Sequence, residues 1–173
     1  MSLEEVKQQI RNVADWPKKG IQFKDITTAV KVPEIFSFLV DTICDIYKDK
    51  GITKVVCMEA RGFILGGALA YKLGAGFVPI RKPGKLPAKK ISQDYILEYG
   101  AGSLELHSDA ISEVDVVLLH DDLLATGGTA LASIKLIQKL QPEKIYISFM
   151  CELDFLKGRE LLKDYEIASL IHF

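Results

Sequence analysis

The sequence predicts an α/β fold, a parallel sheet flanked by helices with a flexible flap, and three observations predict it. Short apolar runs rich in β-branched residues have the length and content of buried strands. Stretches of helical spacing lie between them, and strands alternating with helices imply parallel pairing with both sheet faces covered. One polar span, 82–113, rich in Lys, Pro and Gly, breaks the alternation. A connection that long inside a compact domain is usually functional or disordered.

Ser2 followed by Glu5 makes a capping box, and Val6, Ile10 and Val13 continue at helical spacing until Trp16-Pro17 and Gly20. Pro33 suits the first turn of a second helix, whose stripe is Phe36, Leu39, Val40, Ile43 and Tyr47, with Gly51 placed to stop it. Lys54–Met58 is a buried strand, Gly62–Leu73 a helix stopped by Gly74, and Phe77–Ile80 the next strand. The flap over 82–113 contains short alternating pieces such as Tyr95-Ile96-Leu97 that fit a two-stranded ribbon. Beyond it, Val114–Leu119 is a strand, Thr129–Leu140 a helix, and Ile145–Met150 a strand. Lys157–Lys163 is a short helix and Ile167–Ile171 a final strand.

With 173 residues, one domain spanning 1–173 is expected, and 49% hydrophobic content is enough for a core. A net charge of −1 gives no reason to expect nucleic acid or a membrane surface as partner. Cys44, Cys57 and Cys151 cannot all pair, and buried free thiols in a reducing compartment are the simplest account. No Cys or His pair has metal-ligand spacing. Met1–Arg11 is too polar for a signal peptide and no apolar stretch reaches membrane length, so a cytoplasmic location is expected.

The most informative segment is Val116–Ala130, VVLLHDDLLATGGTA. A strand runs out into Asp121 and Asp122, and Gly127-Gly128 open a helix. Open α/β sheets bind ligands at the carboxyl ends of their strands. A helix start there offers free N–H groups and the positive end of a dipole. Thr126 and Thr129 add hydroxyl donors, and the glycines allow close approach of the backbone, so Ala125 to Thr129 form a cradle for a phosphate monoester. Two carboxylates beside a bare phosphate would repel it. They make sense facing hydroxyls, or a metal held by those hydroxyls, and a ribose 5-phosphate supplies both groups. The segment lacks the Gly-Lys-Ser/Thr of a P-loop, and no GxGxxG is present.

Four other segments carry chemistry less specifically. Met58-Glu59-Ala60-Arg61-Gly62-Phe63 is a second strand-to-helix turn, where Arg61 either aims a planar fork at a diphosphate or is an ordinary exposed arginine. Arg81, Lys82 and Lys85 cluster after a strand, either as a solvated face or as contacts to a polyanion. Leu97-Glu98-Tyr99-Gly100 lies late in the flap, where Glu98 alone reads as a surface residue of a hairpin. Trp16–Ile26 contains Gln22, Phe23 and Lys24, and Phe23 reads as a core residue near a helix end or as a stacking platform. Leu156-Lys157-Gly158-Arg159-Glu160 reads as a structural turn, and His120 as a strand-end side chain.

Together these residues resemble the type I phosphoribosyltransferases, and the form DDLLATGGT resembles their adenine-specific branch. The stretches around RGF, RKPGKLP and LEYG are similar to that branch too, with Ile96 in place of a Ser. Trp16–Ile26 is similar to its adenine-side segment, with departures at Lys18 and Gln22. The likeness spans almost the whole chain. It implies transfer of the phosphoribosyl group of PRPP (5-phosphoribosyl-1-pyrophosphate) to adenine in purine salvage, giving AMP and pyrophosphate, by a cytoplasmic homodimer. Mg²⁺ would be bound through PRPP or pyrophosphate rather than by the protein. The resemblance assigns Arg61, Arg81, Lys82, Lys85, Tyr99, Asp121, Asp122 and Ala125–Thr129 to PRPP. Among these, Arg61, Asp121 and Asp122 join Glu98 in catalysis, with Glu98 moving the proton of the base. Gln22, Phe23 and Lys24 are assigned to the base, within a segment of about residues 1–30. A cis peptide at Glu59–Ala60 is also implied. The rivals are a hypoxanthine or guanine phosphoribosyltransferase and a non-catalytic PRPP-binding regulator.

Overall fold

A computed structural model describes residues 1–97 and 100–173. Its centre is a five-stranded parallel sheet of β3 (Lys54–Met58), β4 (Gly76–Ile80), β7 (Val116–Leu124), β8 (Lys144–Glu152) and β9 (Ile167–His172), in the order β4-β3-β7-β8-β9. The chain leaves β3 toward β4 on one side and returns to β7 on the other. The connections after β3 and β7 therefore diverge and leave a crevice at the strands' carboxyl ends.

Two apolar layers cover this sheet. On one face lie α1 (Leu3–Gln9), the single turn α2 (Thr27–Val30), α3 (Pro33–Tyr47) and α4 (Gly62–Leu73), packed with Val55, Cys57, Leu118 and Met150. The α3 stripe buries Ile35, Leu39, Val40, Ile43 and Tyr47, while Phe36 is only partly covered. Burying each such aliphatic side chain contributes about 1.5–3 kcal/mol. The other face carries α5 (Gly128–Gln138) and a ribbon of β5 (Lys90–Leu97) and β6 (Gly100–His107), packed with Val117, Leu119, Ile147 and Phe149. All three cysteines are free and buried.

Several expectations need correction. The first helix ends at Gln9, and Val13 belongs to β1 (Arg11–Ala14), which pairs antiparallel with β2 (Gln22–Asp25). Three apolar residues were too few to fix a helical period against this pairing. Asp15 takes a left-handed conformation and accepts the Gly20 amide at 2.6 Å, closing the turn of the ribbon. The strand expected to end at Leu119 runs to Leu124, because β8 extends to Glu152 and pairs with it at His120, Asp121, Leu123 and Leu124. The segment read as a helix over Lys157–Lys163 is a 3₁₀ turn, Gly158–Leu162. Among the described residues no helix is long and apolar enough to cross a membrane.

Candidate active site

The crevice between β3 and β7 opens onto a cleft of about 210 Å³ lined by Met58, Arg61, Asp121, Asp122, Thr126, Gly127 and Thr129. Gly127 caps α5 in the left-handed region at φ 85°, a conformation that side chains resist. That turn brings Ala125, Thr126 and the first amides of α5 to the cleft, as the sequence motif requires of an anion cradle.

Asp122 is 4% exposed, whereas Asp121 is enclosed on most sides but keeps part of its surface open. Burial, then the neighbouring Asp122, pushes the Asp121 carboxyl well above its ordinary range. Burial also raises Asp122, against the opposing pull of Arg61. Two enclosed carboxyls side by side resist carrying two charges, and hydroxyl donors or a cation would relieve them.

Arg61 joins the cleft to the β1–β2 ribbon. Its Nε lies 3.0 Å from Asp122 Oδ2, and its guanidinium sits 4.9 Å from the centre of the Phe23 ring. The ion pair lacks hydrogen-bond alignment, and both Arg61 Nη1 and Asp122 Oδ2 are buried without a hydrogen-bond partner among the described residues. Orphaned polar atoms of this kind are costly, and at a cleft they mark a place completed by ligand. The Phe23 ring also meets Trp16 edge-on at 4.4 Å.

A model of the phosphoribosyl transferase domain family matches residues 26–170. The chain belongs to the phosphoribosyl transferase family. It is 55% identical to an adenine phosphoribosyltransferase of Phocaeicola vulgatus over 99% of both chains. The crystal structure of adenine phosphoribosyltransferase from Thermoanaerobacter pseudethanolicus superposes with a TM-score of 0.95 at 49% identity, covering 99% of this chain and 100% of that one. The Giardia lamblia enzyme complexed with 9-deazaadenine gives 0.96 at 41% identity, over 100% of this chain and 98% of that one.

In this phosphoribosyltransferase the remaining expected residues are distributed unevenly. Arg81 Nε donates to Glu59 Oε2 at 2.8 Å, and the Lys82 amide donates to Glu59 Oε1 at 2.7 Å. Burial pushes the Glu59 carboxyl up, but these two donors outweigh it and hold the carboxyl below its ordinary value. Arg81 thus ties the exit of β4 to the exit of β3, while Lys82 and Lys85 stand exposed beside it. The Glu59–Ala60 peptide is cis, as the family resemblance implies. Gln22 and Lys24 direct their side chains to Asn12, at 2.6 and 3.1 Å, and Lys24 also lies 4.3 Å from the Phe173 ring centre. Their side chains are engaged, and β2 pairs with β1 alone, so its other backbone edge has no strand beside it among the described residues. Glu98 and Tyr99 lie outside the described residues. His120 is fully buried, 3.2 Å from Ser148 Oγ, and burial lowers its pKa to about 4.

Sequence reading missed Glu59, Asn12 and Phe173, whose partners lie far along the chain. The expected Mg²⁺, carried by PRPP rather than by the protein, fits a cleft whose two carboxyls, one with an oxygen that lacks a hydrogen bond, could accept from the hydroxyls or waters around such an ion. A pair is too few for an all-protein cage, which suits an ion carried in by substrate phosphates. Elsewhere among the described residues, Glu152, Asp154 and His172 come together, but Glu152 is forked by Arg159.

Proposed function

We propose that the protein transfers the 5-phosphoribosyl group of PRPP to adenine, forming AMP and pyrophosphate in purine salvage. The observation that carries this reading is Arg61, which touches both the acid pair beside the phosphate cradle and the aromatic ring of the base ribbon. A sugar phosphate and a planar base held on either side of one guanidinium would meet there. The relatives named above are adenine phosphoribosyltransferases along their whole lengths, which supports the adenine reading over hypoxanthine or guanine.

In this reading Ala125–Thr129 hold the 5-phosphate with the α5 amides and the Thr126 and Thr129 hydroxyls. That binding energy positions the anomeric carbon. Asp121 and Asp122 accept the ribose hydroxyls, which stabilises their ionised forms. Arg61, Lys82 and Lys85 receive the pyrophosphate, with Arg81 holding Glu59 so that this rim keeps its shape. Phe23 stacks on the base, and the backbone at Gln22 and Lys24 presents a carbonyl and an N–H to the adenine 6-amino group and N1. The C–O bond to pyrophosphate breaks, N9 bonds to the anomeric carbon, and Glu98 takes up the proton change on the base. A positioned acid–base group contributes about 10²–10⁴-fold. Magnesium, when bound with PRPP, supplies charge neutralisation to the diphosphate. The whole chain acts as one catalytic unit in the cytoplasm. Two exposed apolar side chains, Tyr71 on α4 at 90% and Phe77 on the edge strand β4 at 41%, support a homodimer.

An initial-rate panel with PRPP, Mg²⁺ and each purine base tests the proposal. AMP formation should exceed IMP formation at equal base concentration. Preference for hypoxanthine removes the adenine assignment, and absence of pyrophosphate release with every base favours a PRPP-binding regulator.

A further inference from the structure

The phosphate cradle does not stand on its own turn alone. Beneath it runs the chain between β8 and β9, and the two segments touch backbone to backbone. A Cβ built on Gly158 would lie 2.1 Å from the Ala125 carbonyl oxygen and 3.0 Å from the Gly127 nitrogen. A Cβ on Gly127 would in turn lie 2.6 Å from the Gly158 carbonyl oxygen. The 2.1 and 2.6 Å distances are below any ordinary contact, so this approach exists only because both residues are glycine. Gly158 has no left-handed backbone of its own, and space alone demands a glycine there.

The turn bearing Gly158 is anchored independently. Arg159 forks Glu152, with Nε to Oε1 at 3.1 Å and Nη2 to Oε2 at 2.6 Å. The same guanidinium reaches the Ile167 carbonyl at 3.3 Å and Ser169 Oγ at 3.2 Å on β9. Glu152 is buried at the end of β8, so the fork fixes the turn to the sheet in a defined orientation. Leu153 donates to the Leu124 carbonyl at 2.9 Å, binding the start of this segment to the end of β7. The sheet thus holds the turn, and the turn limits where Ala125, Thr126 and Gly127 can sit.

We infer that the 157–159 turn positions the 5-phosphate cradle, with Gly158 as its positioning residue and the Arg159–Glu152 fork as its anchor. This rests on the reading of Ala125–Thr129 as the phosphate site. The reason is geometric: an anion cradle made of backbone amides works only while those amides converge, and a displacement of a fraction of an ångström separates them. Gly158 touches no substrate; it acts through Gly127 and Ala125.

Calorimetric titration of AMP and of adenosine separates the two readings, since the ligands differ only in the phosphate. Wild-type protein should prefer AMP by roughly 100-fold, the worth of charge-assisted hydrogen bonds. In Gly158→Ala that preference should fall by about tenfold or more, with adenosine affinity held within about twofold and PRPP KM, but not adenine KM, raised. In Arg159→Lys, which keeps the charge and loses the fork, it should fall by about threefold. A folded Gly158→Ala protein that retains the wild-type preference, losing only thermal stability, overturns the inference. If Gly158→Ala does not fold, Arg159→Lys decides, and a retained preference there overturns it equally. Wild-type protein that binds AMP and adenosine alike defeats the phosphate-site reading, and the positioning role with it.

Discussion

Across Arg61, two regions of this phosphoribosyltransferase face each other on different foundations. The cradle at Ala125–Thr129 grows out of a central strand and rests on a second backbone segment at glycine-to-glycine distance. The ribbon proposed for the base, β1 and β2, is a two-stranded sheet without a buried residue, β1 mostly exposed and β2 mostly half-buried. It is held by polar and cation–π contacts: Asn12 with Gln22 and Lys24, Lys24 with Phe173, Arg11 with Asp25. Exposed contacts of this sort contribute a fraction of a kcal/mol each, while the cradle rests on the backbone of the turn beneath it. One half of the site is held by close backbone contact, and the other by side-chain contacts.

The largest expected break in this contrast is Gly127→Val. A side chain at φ 85° and 2.6 Å from a carbonyl oxygen cannot be accommodated without moving the loop. PRPP KM should rise by about 100-fold or more, read from initial rates, with adenine KM little changed. Asp121→Asn should lower kcat/KM for PRPP by about 30-fold, the worth of a charged hydrogen bond to a ribose hydroxyl. Its melting temperature should hold or rise, because burial already disfavours the charge that is removed. Phe23→Ala should raise adenine KM by about tenfold and leave PRPP KM unchanged. An equal rise in both would mean that the ribbon and the cradle are not separable.

His120→Val is expected to leave turnover at neutral pH within about twofold, yet to change the response to acid. The folded protein holds His120 at about 4, below the value near 6.5 of the unfolded chain. Its contribution to stability is therefore present above about pH 6.5 and lost as pH falls toward 4, on the order of 3 kcal/mol in all. The raised carboxyls of Asp121 and Asp122 act with the opposite sign and are common to both proteins. The difference between wild type and variant in urea unfolding at pH 7 and pH 5 isolates the imidazole. Equal pH slopes would place His120 outside this account.

The same contrast explains what the sequence made legible. Lys54–Met58 and Gly62–Leu73 were bounded correctly because a short β-branched run and a left-handed Gly74 are local signals. The strand, acids and glycines of the loop proposed as the cradle were legible because they are contiguous. The ribbon was not: Val6, Ile10 and Val13 satisfy a helical period, and only pairing of Val13 with Phe23 assigns the last of them to a strand. Asp121 and Asp122 lie inside β7 rather than after it, since the reach of β8 decides where pairing stops. The contacts of Arg61 with Phe23, Arg81 with Glu59 and Gly158 with Gly127 join distant stretches that carry no mutual signal before folding. Gly158 was read as part of a simple turn for that reason.

The three free thiols give the molecule an internal clock. Cys44 is in α3, Cys57 in β3 and Cys151 in β8, each enclosed in the layer between helices and sheet. Burial pushes all three thiols up, Cys151 to about 12, so almost no reactive thiolate is present in the native state. An alkylating reagent can therefore label them only during moments when a layer separates. The order in which Cys44, Cys57 and Cys151 acquire label in native buffer would time the loosening of helix and sheet without any added probe.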